Sequence, residues 1–247
     1  MSKINNPTKI SLAAAAQLCD TFKKPVIFWD TCALLDIMRL PIPDRKHSVS
    51  ILEKLIEIRN KIVAKDIVSM SSVVCIIEFN DHIDNWKQIL NTEAKRLSKP
   101  YNDFISFINK VNVGVTPIPN IDLSAHGLEN ILDGIILSIT KETYFISEDA
   151  QFSQFAEFRT FYKFPPAKVK GEYKDCYIWD TCLELNKNIT DKSFPSFFMS
   201  SNTTDYAASN KINFEPTLIV HEATQNNITY LPNFNFAHGQ LKQRRIL

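Results

Sequence analysis

The sequence predicts an α/β protein built on a parallel β-sheet with helices on both faces, and three observations carry that expectation. Val26-Ile-Phe-Trp29 is a continuous apolar run that closes on the polar pair Asp30-Thr31, as expected of a strand buried on both faces and ending in a turn. Similar short runs recur at Ile67–Met70, Phe197–Met199 and Ile228–Leu231, with helical patterns between them. No low-complexity linker interrupts the 247 residues, so one domain over 1–247 with a helical insertion at about 86–165 is the economical organisation.

Taken in order, residues 1–24 read as a polar lead followed by a helical turn or two around Leu12–Phe22. After the first strand, Ala33–Met38 has helical spacing and Pro41-Ile-Pro43 breaks it. Val49, Leu52, Leu55, Ile56 and Ile58 make His47–Lys61 an amphipathic helix. Ser71 or Ser72 is a natural N-cap for the next helix, where Val74, Ile76, Ile77 and Phe79 oppose a polar face of Glu78, Asp81, His82 and Asn85. Thr92–Val111 continues as helix with a break expected at Pro100, and Val113–Pro119 reads as loop. Residues 123–158 read as interrupted helices, Phe164-Pro165-Pro166 as a loop, and Asp175–Asn186 and Phe214–Ala223 as helices. The letters Trp-Asp-Thr-Cys occur twice, at 29–32 and 179–182; one lies in a strand–turn and the other in a helix, so the echo is coincidence and not a repeat.

Composition narrows the class. Hydrophobic content of 45% and charged content of 22% are those of a globular chain with ample core. The longest apolar runs fall far short of the ~20 residues a membrane span needs, and Leu12–Ala16 is too short for a secretory signal, so a cytoplasmic protein is expected. Five cysteines form no C-x-x-C pair and read as reduced, buried thiols. A net charge of +1 carries no global nucleic-acid signature. Arg159, Lys163, Lys168, Lys170 and Lys174 form a local basic cluster that reads most simply as solvated surface, although such clusters also meet phosphates.

Four carboxylates fall where strand ends or helix starts gather side chains: Asp30, Glu78, Asp175 and Asp205. Held together they repel, and a hard divalent cation with oxygen ligands, Mg²⁺ or Mn²⁺, removes that cost. Two such ions roughly 3.5–4 Å apart can activate water and stabilise the leaving oxygen of a phosphodiester. No Gly-rich phosphate loop, G-x-S-x-G elbow or H-E-x-x-H supports a competing chemistry.

The same segments resemble those of the PIN-domain nucleases, the fold that includes many bacterial toxin–antitoxin ribonucleases. Val-Ile-Phe-Trp-Asp30-Thr-Cys-Ala-Leu-Leu is similar to the family's first strand and acid, and Glu78 in Val-Val-Cys-Ile-Ile-Glu-Phe to its second. Gly171-Glu-Tyr-Lys-Asp175-Cys-Tyr-Ile-Trp resembles the third, and Phe198-Met-Ser-Ser-Asn202-Thr-Thr-Asp205-Tyr the Ser/Thr-Asn-x-x-Asp ending. The likeness to a larger bacterial subgroup extends to Tyr230-Leu-Pro-Asn-Phe. It implies a three-layer α/β/α fold, a Mg²⁺- or Mn²⁺-dependent site and endonucleolytic cleavage of RNA. An antitoxin or other inhibitor protein and a homodimer are partners of the kind it implies. The long stretch between Glu78 and Asp175 departs from the small toxins. Within it, Asp133 in Ile-Leu-Asp-Gly-Ile-Ile and Asp149 in Ile-Ser-Glu-Asp-Ala form a rival third and fourth pair.

Around the acids, Thr31 and Asn202 are candidates to orient them or to touch substrate, and Lys168, Lys170 and Lys174 to seat its backbone. Each has a plainer role as a turn residue or a solvated lysine. Asp180 lies about 140° round the helix from Asp175 and is expected to face elsewhere, and His82 fits a solvated helix face. A non-catalytic RNA- or protein-binding module and a structure-specific DNA nuclease remain the alternatives.

Overall fold

The computed structural model describes residues 3–42, 49–111, 116–168, 172–206 and 218–247. Among the described residues six strands form one sheet: β1 (Thr8–Ile10), β2 (Val26–Trp29), β3 (Val68–Ser72), β4 (Thr143–Ile146), β5 (Ser196–Met199) and β6 (Ile228–Leu231). Their order is β1-β4-β3-β2-β5-β6, and every neighbouring pair is parallel. The helices are α1 (Leu12–Phe22), α2 (Thr31–Arg39), α3 (Val49–Val63), α4 (Val73–Val111), α5 (Leu128–Lys141), α6 (Ala150–Tyr162), α7 (Tyr173–Asn188), α8 (Thr203–Tyr206), α9 (Leu218–Gln225) and α10 (Phe234–Gln243).

That strand order dictates the layering. The chain steps one way along the sheet from β2 to β3 to β4, and the other way from β1 to β2, from β4 to β5 and from β5 to β6. Right-handed crossovers therefore send α2–α5 to one face and α1, α6, α7 and α9 to the other. The packing agrees: α2 lies on α4 and α5, and α3 on α5 and α10, whereas α7 lies on α1 and α6. The result is a three-layer α/β/α fold. The direction of stepping reverses between β2 and β5, and the crevice beyond their carboxyl ends is where such folds place a site.

β2 and β5 are buried at every position, which explains why both read as unalternating apolar runs. Trp29 satisfies its indole N–H on Ser69 Oγ (2.9 Å), Ser69 Oγ shares a hydrogen bond with Thr143 Oγ1 (2.7 Å), and Thr143 donates to the Ile139 carbonyl (2.8 Å). This polar ladder lets three strands of the sheet carry buried polar groups without an unpaired donor. On the α7 side, Phe198 stands 5.0 Å from both Trp179 and Tyr206 by ring centroids, and 6.2 Å from Phe28.

Three expectations are corrected. Residues 1–24 contain β1, an edge strand whose Thr-Lys-Ile shows no apolar pattern because it pairs only with β4. The stretch 86–165 is not wholly helical: β4 lies within it and belongs to the sheet, between β1 and β3. Pro100 does not break α4, which runs unbroken to Val111. The lost bond to the carbonyl four residues earlier is offset by side-chain clamps. Asn102 exchanges two hydrogen bonds with the Ile121 main chain, and Asn109 two with Ile118 (2.8–2.9 Å). Ser72 fills the capping role expected of it, accepting from Val74 N–H at 3.3 Å. The first residues of the helix expected over 214–223, and residues 113–115 of the expected loop, lie outside the described residues. No described helix is long and apolar enough to cross a membrane.

Phe198 is fully buried at the centre of the ring cluster. Phe198→Ala is expected to cost about 3–5 kcal/mol in denaturant unfolding; a loss below about 1 kcal/mol would show that the cluster does not hold α7 on the sheet.

Candidate active site at the carboxyl edge of the sheet

Asp30 is the first residue past β2 and caps α2. Its Oδ1 accepts the Thr31 N–H at 2.8 Å, and its Oδ2 accepts the Ser200 hydroxyl at 2.6 Å. Because Trp29 is paired with Met199, the residues that follow each strand are brought side by side. The Asp30 N–H donates to the Met199 carbonyl at 3.0 Å and the Ser200 N–H to Leu231 at 3.1 Å. Tyr230 O–H donates to the Ser200 carbonyl at 2.7 Å. Three adjacent strand ends thus fix one carboxylate, which is 0% exposed.

The other acids arrive from helices. Glu78 sits in the second turn of α4, Asp175 in the first turn of α7 (6% exposed) and Asp205 in α8 (2% exposed). Asn202, in the turn between β5 and α8, joins the last two: its amide donates to Asp175 Oδ2 at 3.2 Å and to Asp205 Oδ2 at 2.8 Å. Tyr206 O–H holds the Asp175 main-chain carbonyl at 3.0 Å. Glu78, Asp175, Asp205 and Asn202 line an open cleft of about 540 Å³ with Cys32, His82, Glu172, Tyr173 and Lys174. Asp30 is fully enclosed and does not itself line the cleft, but it lies near enough to feel the Glu78 charge and to act on Asp175.

The cleft is strongly negative. Burial pushes the Asp30 carboxyl well above the usual carboxylate range, with the Glu78 charge adding to the rise and the Ser200 and Thr31 bonds opposing it. Asp175 is raised by burial first and then by the charges of Asp30, Glu78, Asp205 and Glu172. The Cys32 thiol is raised for the same reasons, with Asp30 and Asp175 the leading charges.

These residues fit a hard divalent cation. All the acidic donors are oxygens. Glu78 Oε2, Asp205 Oδ1 and Thr31 Oγ1 are buried with no hydrogen-bond partner among the described residues. The amide of Asn202 stands between the Asp175 and Asp205 carboxylates and offers partial positive charge to both. As the side chains stand, no group of three or more His, Cys, Asp or Glu among the described residues is placed to hold a metal ion.

The structure sorts the remaining candidates. Lys174 stands at the cleft's lip, 3.8 Å from Asp81. Lys168 is exposed, and Lys170 lies outside the described residues. Arg159 corrects the surface reading of the basic cluster. It is buried and donates to both oxygens of Asp180 (2.8 and 2.9 Å), to the Pro165 carbonyl (2.8 Å) and to Glu222 (2.8 Å). Asp180 therefore turns into this network and away from the cleft, as its helical angle requires. The rival acids are not brought together. Asp133 on α5 pairs with Lys87 at 3.0 Å, while Asp149 caps α6 through the Gln151 N–H at 2.8 Å, in the opposite helical layer. All five cysteines are free thiols. Ser200 is the functional side chain that sequence reasoning did not single out; the parallel pairing of β2 with β5 places it opposite Asp30, and strand register was the signal that could have found it.

Comparison with models of known protein families, with curated proteins and with solved structures finds no match for this chain.

Raised carboxyl pKa values carry a signed consequence. Above the ordinary Asp value of about 4, the folded chain holds protons that the unfolded chain has lost, so metal-free stability falls as pH rises through the raised values. Asp30→Asn removes part of that loss. In EDTA at pH 8 its melting temperature is expected to exceed the parent's by more than about 3 °C, with a smaller difference at pH 4. A variant less stable than the parent at pH 8 would contradict the electrostatic account.

Proposed function

We propose that this chain is a divalent-metal-dependent endonuclease that hydrolyses phosphodiester bonds in RNA. One observation carries the reading: three carboxylates from separate helices, Glu78, Asp175 and Asp205, line one cleft, and the enclosed Asp30 at the end of β2 lies near enough to interact electrostatically with Glu78 and Asp175. Core packing has no use for such a group, and nothing but a cation or a proton makes it tolerable. The resemblance to the PIN-domain nucleases rests on the segments that contain these same acids.

The four carboxylates would hold Mg²⁺ or Mn²⁺. When bound, the metal supplies an acidified water as nucleophile and neutralises charge on the phosphate. The chain's own residues do the rest. Ser200 and Thr31 fix both oxygens of Asp30, so the carboxylate cannot turn away. Asn202 sets the spacing of Asp175 and Asp205. Lys174 offers a cation to the substrate backbone at the lip, and its pairing with Asp81 leaves it exposed enough to exchange partners. The protein acts in the cytoplasm on this reading, and an inhibitory antitoxin is the partner the resemblance implies.

With Mn²⁺ present, single-stranded RNA is expected to be cut internally, and EDTA to abolish the cut. Asp30→Asn and Asp175→Asn are expected to reduce cleavage to background with unchanged circular dichroism; full activity in both would reject the assignment. DNA assayed alongside separates the RNA enzyme from a DNA nuclease. Asn202→Ala, which leaves all four acids in place, is expected to lose about 10–100-fold in activity or metal affinity.

A further inference from the structure

Helix α6 has apolar side chains on both faces. Its inner face buries Phe152 and Ala156. Its outer face, which ordinary surface helices make polar, exposes Phe158 (52%), Phe161 (79%) and Tyr162 (55%), and Phe164 follows in the next turn of chain (40%). These rings form one cluster. Phe158 lies 4.6 Å from Tyr162 and 5.8 Å from Phe164, Tyr162 lies 5.0 Å from Phe161, and Tyr162 and Phe164 are stacked at 6.0 Å with 25° between planes. A contiguous exposed aromatic surface marks a binding face.

Its surroundings indicate the occupant. Lys163, between Tyr162 and Phe164 in the chain, and Lys168, four residues past Phe164, are both exposed, and Glu157 is the acidic residue of the helix. Ala167, three residues past Phe164, is fully buried, and the Cys176 thiol, next to Asp175, lies near enough to it and to Thr160 of α6 for both to act on that thiol. At the cleft's rim the pattern repeats, since Tyr173 and Lys174 both line it and Tyr173 is partly exposed. Flat faces interleaved with cations match a chain of bases on an anionic backbone. A paired duplex keeps its bases stacked on each other and cannot use them.

We propose that Phe158, Phe161, Tyr162 and Phe164 form a stacking platform for the bases of single-stranded nucleic acid, with Lys163, Lys168 and Lys174 guiding its backbone into the acidic cleft. This rests on the reading of that cleft as a phosphodiester site, but the binding can be tested apart from cleavage. In EDTA, fluorescence anisotropy would follow a labelled single-stranded oligouridylate of twelve nucleotides, and separately an RNA duplex of the same length. Phe158→Ala/Phe161→Ala is expected to weaken single-strand binding by at least about tenfold and to leave duplex binding unchanged. Hydrolysis of bis(p-nitrophenyl) phosphate with Mn²⁺ should be unaffected. Because Phe161 is mostly exposed, Phe161→Ala alone provides a variant without a folding penalty, and Phe161→Trp is expected to restore affinity. Lys163→Gln is expected to lower the salt slope of binding by about one. Single-strand affinity unchanged within twofold would overturn the platform, as would equal losses for strand and duplex, or a change in self-association alone. Ring-dependent binding by a parent protein that hydrolyses no diester would uphold the platform and defeat the nuclease reading.

Discussion

Repulsion among buried carboxylates is the constraint on which the carboxyl edge of this protein depends. Asp30 is fully enclosed at the meeting of β2 and β5, and three further acids line the cleft near it. Every neighbouring feature serves to hold these groups despite their charge. Two donors saturate one lone pair on each Asp30 oxygen, an amide bridges Asp175 and Asp205, and a tyrosine hydroxyl pins the Asp175 main chain. Such an arrangement lowers stability in the absence of a cation, and sites selected for chemistry commonly carry a cost of that kind.

The sheet makes the arrangement possible. Because the stepping direction reverses between β2 and β5, helices α2 and α8 leave those strands on opposite sides and open a crevice between them. α4 and α7 then supply Glu78 and Asp175 from the two helical layers. The buried Arg159–Asp180–Glu222 network, closed by Trp179 Nε1 donating to Glu222 at 2.8 Å, ties α6, α7 and α9 into one unit. That tie fixes the first turn of α7, and with it Asp175, relative to the sheet.

Much of this was legible in the residues. Strands buried on both faces announce themselves as unbroken apolar runs, and Val26–Trp29 and Phe197–Met199 did so. β1 and β4 escaped for different reasons: β1 is an edge strand whose three residues with one apolar member show no periodicity, and Thr143–Ile146 follows α5 without a breaking Gly or Pro. Pro100 misled because a local penalty of about 3 kcal/mol can be outweighed by tertiary clamps, here Asn102 and Asn109 on the returning chain. Among site residues, the acids were visible as charges at strand ends and helix starts. Arg159 was misread because its partners lie 21 and 63 residues away, and no local pattern encodes a contact of that range. Ser200 was hidden for a related reason, since its role exists only once β2 and β5 are in register.

Calorimetric titration of Mn²⁺ into the metal-free chain at neutral pH tests most directly the proposal that the acid cleft binds a divalent cation. Carboxyls whose proton affinity is raised must release protons as the metal enters. The account predicts saturable binding whose apparent enthalpy differs between buffers of unequal ionisation enthalpy, and which Asp175→Asn diminishes. A flat titration in every buffer would contradict it.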